Sequence, residues 1–101
     1  MRVPARELLM MAVVFGASSP VIAADRAFGE YLSNECVTCH RANAPAAQAI
    51  PKINGWPENQ FIAVMNAYKD RQRENPVMQT IAGRLNVEEI AALAAYFREQ
   101  K

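Results

Sequence analysis

Three stretches of this chain place apolar residues at helical spacing, and no stretch keeps a strand's two-residue alternation for long. The first is Ala27, Phe28, Tyr31 and Leu32, ending just before Cys36. The second follows Pro57, a residue that suits the first turn of a helix. There Phe61, Val64, Met65 and Tyr68 recur on one face, up to about Arg71. Asn75-Pro76 is expected to end that segment, with a short helical turn over Val77–Arg84. The third face is Ile90, Leu93, Ala94 and Phe97, with Tyr96 at its flank. Asn86 precedes it as a cap, and Glu89 follows three residues on, in capping-box register. Residues 41–56 read as irregular, since Pro45 and Pro51 interrupt helix there and Ala42–Ala49 is merely alanine-rich. Gly29 and the alanines of the last segment allow a close crossing, so the first and last helices are expected to pack together. The pattern predicts a single all-α domain of three to four short helices.

Composition changes this picture at the N-terminal side. Residues 1–24 read as a secretory signal peptide: Arg2 and Arg6 begin it, Leu8–Ala17 is apolar, and Val21-Ile22-Ala23-Ala24 offers small residues for cleavage. An uncleaved anchor is the competing reading, although about ten apolar residues are too few to span a bilayer as a helix. The 51% hydrophobic content is inflated by this segment. Without Arg2, Arg6 and Glu7, the eleven basic and ten acidic residues become nine of each. Residues 25–101 are therefore near neutral, which excludes the charge footprint of a nucleic-acid binder. A domain this small is near the limit at which a core alone holds a fold.

The chemistry is concentrated in Cys36-Val37-Thr38-Cys39-His40. Two thiols three residues apart, followed at once by histidine, form the c-type haem attachment motif. Cys36 and Cys39 can reach the two vinyl groups on one porphyrin edge, and His40 then presents its imidazole to the iron beneath. A thioredoxin-like thiol pair would want a βαβ setting, which this chain lacks. A structural zinc site takes four ligands, but these are the only cysteines and the only histidine. The haem itself would supply burial that so short a chain lacks. Haem attachment takes place outside the cytoplasm, so the leader and the motif agree on a periplasmic protein.

Haem chemistry then turns on the face opposite His40. A methionine there excludes small ligands and raises the reduction potential. Beyond the leader, Met65 and Met78 are the two methionines. Met65 lies mid-helix beside Phe61 and Val64, where an apolar stripe is more often core. Met78, after the break at Asn75-Pro76, is expected in a loop free to cross the haem, and is preferred. An open sixth position is the remaining possibility. The haem carboxylates also need partners if buried. Trp56, Tyr68 or Arg84 could donate to them, Trp56 first, although Trp56 could equally be an apolar lid.

From about Ala27 to Phe97 the chain resembles a class I cytochrome c: CxxCH near the start, a Pro-x-Ile-x-Gly loop, and a methionine ahead of the final helix. It is similar to small bacterial cytochromes c553 and c4 domains, with their Asn-Pro-x-Met and Leu-Ala-x-Tyr-Phe stretches. It also resembles the haem subunit of flavocytochrome c sulfide dehydrogenase. The resemblance implies a cytochrome c fold wrapped around one covalent haem c. It implies that the Pro51 carbonyl orients His40, and it supports Met78 as the second axial ligand. Many relatives follow the histidine with glycine, whereas Arg41 stands here and alters the expected loop path.

These readings converge on a periplasmic one-electron shuttle, with no catalytic residue in the chain. A second possibility is the electron-accepting subunit of a sulfide- or sulfite-oxidising dehydrogenase with a flavin or molybdenum partner. The third is a ligand-binding haem with an open site. Expected partners are redox proteins, docked on an apolar patch that includes residues 42–49.

Overall fold

A computed structural model of the protein describes residues 20–45 and 49–101. The signal peptide expected over 1–24 falls outside them as far as residue 19, and residues 46–48 of the expected docking segment fall outside too. Four helices are present among the described residues: α1 (Pro20–Val37), α2 (Glu58–Lys69), α3 (Pro76–Gly83) and α4 (Val87–Arg98). There is no strand among the described residues, and no described helix is long and apolar enough to cross a membrane.

Helix α4 is the centre of the fold, packed on α1 and α2, while α3 packs on α2. Its buried residues are Ile90, Ala92, Leu93, Ala94 and Phe97, the predicted face with Ala92 added. Phe97 stacks on Phe61 of α2 at 5.7 Å and meets Tyr96 edge-on at 5.2 Å. The start of α4 is set locally. Asn86 Oδ1 accepts from the Glu89 N–H at 2.8 Å, and Glu89 Oε1 accepts from the Asn86 N–H at 2.9 Å. Asn86→Ala is expected to lower stability by about 1 kcal/mol. Denaturant unfolding measures it, and an unchanged midpoint would show that the box is idle.

The α1–α4 crossing is present as expected, but its α1 face differs from the aromatic pattern. Gly29 and Ser33 are buried there, Leu32 and Cys36 pack against the core, and Tyr31 is 72% exposed. At Gly29 an added Cβ would lie 2.2 Å from the Ala92 carbonyl oxygen and 2.9 Å from Tyr96 Cβ. Backbone closeness, not side-chain bulk, decides which way α1 turns.

Two prolines act one step away from their predicted roles. Pro57 is the cap residue ahead of α2, not part of its first turn; its carbonyl accepts the Phe61 N–H at 3.0 Å. Pro76 does not end α2 but opens α3, where its missing N–H costs nothing. Helix α2 stops instead through a Schellman pattern, with Gln72 N–H bonded to the Ala67 carbonyl and Arg71 N–H to that of Tyr68. Arg71 closes it at φ 59°, a left-handed conformation that glycine usually fills. A non-glycine residue there costs roughly 1–2 kcal/mol.

Candidate functional site

The attachment motif wraps around the end of α1. Helical geometry continues past Val37, with the His40 N–H bonded to the Cys36 carbonyl at 2.8 Å and the Cys39 N–H to the same oxygen at 3.2 Å. One tight turn thereby sets Cys36, Cys39 and His40 along the same wall of a cleft. The Ile53–Trp56 turn forms a second wall, its Trp56 N–H bonded to the Ile53 carbonyl at 3.3 Å. Gly55 has φ 80°, as the third residue of such a turn requires. Its N–H reaches the Phe97 carbonyl at 2.8 Å, which anchors this loop on α4.

Helices α2 and α3 complete the cleft with Phe61, Val64, Met65 and Tyr68 on one side and Val77, Met78 and Ile81 on the other. Its volume is about 790 Å³, part of it open to solvent. A large, flat, apolar group with a few fixed polar attachments fits such walls.

His40 is held by one strong contact, Nδ1 to the Pro51 carbonyl at 2.7 Å. A carbonyl can only accept, so Nδ1 carries the proton and Nε2 of the neutral ring keeps a lone pair for a metal. The proline carbonyl thus sits where the resemblance put it. The two thiols are not joined to each other. Burial, helped by the charges of Glu35 and Cys39, pushes the Cys36 thiol from 9.0 up to about 11. Burial therefore disfavours the Cys36 thiolate in the closed fold. Among the described residues no three His, Cys, Asp or Glu side chains are placed to share a metal ion.

Both candidate methionines line the cleft, so location alone does not separate them. Met65 is 5% exposed within the core cluster. Met78 is half-buried, and it lies in the first turn of α3 rather than in a loop. The turn is pinned at Met78 itself, whose N–H donates to Asn75 Oδ1 at 3.0 Å. Trp56 and Tyr68 also line the cleft, whereas Arg84 is not among its lining residues and pairs with Glu35 at 3.9 Å. Arg84 is therefore removed from the residues that could meet a cofactor carboxylate. Arg73 takes that place and was not legible in the sequence. Its guanidinium lies 5.3 Å from the Tyr68 ring centre and lines the cleft. Only the turn after α2 brings these two side chains together, so helical spacing gave no signal.

Two thiols, one oriented imidazole and a thioether on a single apolar cleft in a four-helix fold define a covalent haem protein. The chain belongs to the cytochrome c family, whose model matches residues 27–101. It adopts that family's all-α fold, and the family's function is electron transfer through covalently bound haem c. It is 30% identical over 102 aligned positions to a thiosulfate dehydrogenase electron acceptor of Thiomonas intermedia (strain K12), covering 98% of this chain and 46% of that protein. It is 35% identical to cytochrome c4 of Pseudomonas aeruginosa, covering 78% of this chain and 40% of that one. Cytochrome c-554(548) of Halomonas halodenitrificans is 32% identical and covered over 100% of its length, again for 78% of this chain. The chain thus spans under half of the two longer relatives.

Proposed function

We propose that this chain is a periplasmic one-electron carrier with a single haem c, bound to Cys36 and Cys39 and ligated by His40 and Met78. Bound haem supplies an iron that cycles between ferric and ferrous states one electron at a time. The observation that carries this reading is the His40–Pro51 contact, which aims a proton-free Nε2 at a cleft whose other walls hold thioethers. Met78 is the preferred partner because its turn is fixed by Asn75 and its side chain is only half-buried, whereas Met65 is 5% exposed within the core cluster. Phe61, Val64 and Ile81 keep water from the iron, which keeps reorganisation small. Arg73, Tyr68 and Trp56 would meet the haem carboxylates at the cleft mouth. A signal peptide over 1–24 would deliver the chain to the periplasm.

The exposed apolar residues near the cleft fit docking to redox partners without charge steering. Val77 lines the cleft and is 66% exposed, Ile50 precedes Pro51 at 44%, and Val37 follows Cys36 at 42%. A second reading is favoured by one observation: two relatives bear the name thiosulfate dehydrogenase electron acceptor. In that reading the chain accepts electrons from a sulfur-oxidising dehydrogenase, with or without a flavin subunit.

Absorption spectra of the protein made with a haem-attachment system test the proposal. The expected result is a low-spin c-type spectrum in both oxidation states, with the weak far-red band of ferric iron bound to methionine. A high-spin spectrum with carbon monoxide binding would replace it with an open-site protein, and absence of covalent haem would overturn it.

A further inference from the structure

The connection between α2 and α3 carries Arg73 at one end and Met78 at the other, and both face the cleft. Its α2 side is tied by backbone: Arg71 N–H to Tyr68, Gln72 N–H to Ala67 and Arg73 N–H to Ala67. Its α3 side is tied to the same loop by one side chain. Gln79 Nε2 donates to the Arg73 carbonyl at 2.9 Å, and Gln79 Oε1 accepts from Arg71 Nη1 at 3.3 Å. Gln79 directly follows Met78, and its own N–H returns to the Asn75 carbonyl at 2.9 Å. One half-buried amide therefore joins the turn that presents the thioether to the loop that presents the guanidinium. Arg71, held at φ 59°, needs such surroundings to keep its conformation.

We infer that Gln79 is a positioning residue that latches the Met78 turn over the haem and sets how readily other ligands displace the thioether. This rests on the reading of Met78 as an axial ligand. Displacing Met78 requires the first turn of α3 to move away from the 71–73 loop, which breaks the Gln79–Arg73 bond. That bond therefore belongs to the methionine-bound state and not to the displaced one, and it biases the equilibrium between them. The Asn86 box on α4 is intact in both states, so it contributes to stability without contributing to this equilibrium.

The test is titration of the ferric haem-loaded protein with free imidazole, followed by loss of the far-red band. Gln79→Leu is expected to bind imidazole about fivefold to tenfold more tightly than the wild type, the worth of one ordinary hydrogen bond. Gln79→Glu loses the donor to Arg73 but keeps a charged acceptor for Arg71, and is expected to fall between the wild type and Gln79→Leu. Asn86→Ala, with a comparable loss of overall stability, is expected to bind imidazole as the wild type does. If the wild type shows the far-red band and Gln79→Leu binds imidazole unchanged, the latch is overturned alone. Equal tightening in Asn86→Ala would also overturn it, by reducing the effect to general destabilisation. A wild type without the band overturns the ligand reading and the latch with it.

Discussion

Replacing Met78 by alanine in the haem-loaded protein is expected to abolish the far-red band and to open the reduced iron to carbon monoxide. The physical reason is that the other methionine of the cleft, Met65, is held by core packing. Met65 lies across the cleft on α2, buried against Phe61 and the rest of the core. The reduction potential is expected to fall as well, because a thioether favours ferrous iron more than water or a harder ligand does. Axial ligation commands a range of roughly 0.8 V across haem proteins, so the fall should be large against experimental error. Met65→Ala is expected to behave in the opposite way. It should keep the band and lose about 2–5 kcal/mol of stability, as a buried methionine truncated in a core does. If Met65→Ala loses the band and Met78→Ala keeps it, the two residues exchange roles.

The second large effect concerns Gly29. Alanine is a better helix former than glycine by about 1 kcal/mol, so helix propensity alone predicts a gain. The crossing predicts a loss, since the new methyl would meet the Ala92 carbonyl at 2.2 Å. A backbone oxygen cannot rotate aside, so α1 and α4 must separate along the most extensive contact in the fold. Overpacking of this kind costs about 1–3 kcal/mol or more. Set against the gain in helix propensity, the net loss is up to ~2 kcal/mol, so the melting temperature of the haem-loaded protein is expected to fall by up to roughly 15 °C, at 4–8 °C per kcal/mol for a domain of this size. A rise on thermal unfolding by circular dichroism would mean that α1 and α4 separate at little cost.

What could be read from residues alone follows from range. The capping box at Asn86 and Glu89 and the core face of α4 are local, so sequence spacing defines them. The CxxCH motif is local too, and its chemistry could be stated without any fold. Asn75-Pro76 was legible as a boundary but not as a beginning, because proline ends one helix and opens another with the same ring. Met78 consequently lies in the first turn of α3, within the short helical turn expected over Val77–Arg84. The aromatic spacing on α1 pointed to Tyr31, yet the buried stripe runs through Gly29 and Ser33. Closeness to α4, a long-range property, outweighed bulk. Arg84 and Arg73 show the same limit. Which cation reaches the cleft is set by the left-handed Arg71 turn, and no spacing rule anticipates that turn in the absence of glycine.

The α1–α4 crossing also has a consequence in time. Gly29 and Ala92 stand near opposite ends of the described fold, so their pairing is among the last that a growing chain can make. At synthesis rates of about 5–20 residues per second, Cys36 exists for roughly 3–11 s before Ala92 does. Until the last helix closes onto the first, the Cys36 thiol is open to its surroundings, and the addition to a haem vinyl group that the proposed function requires belongs to that open chain.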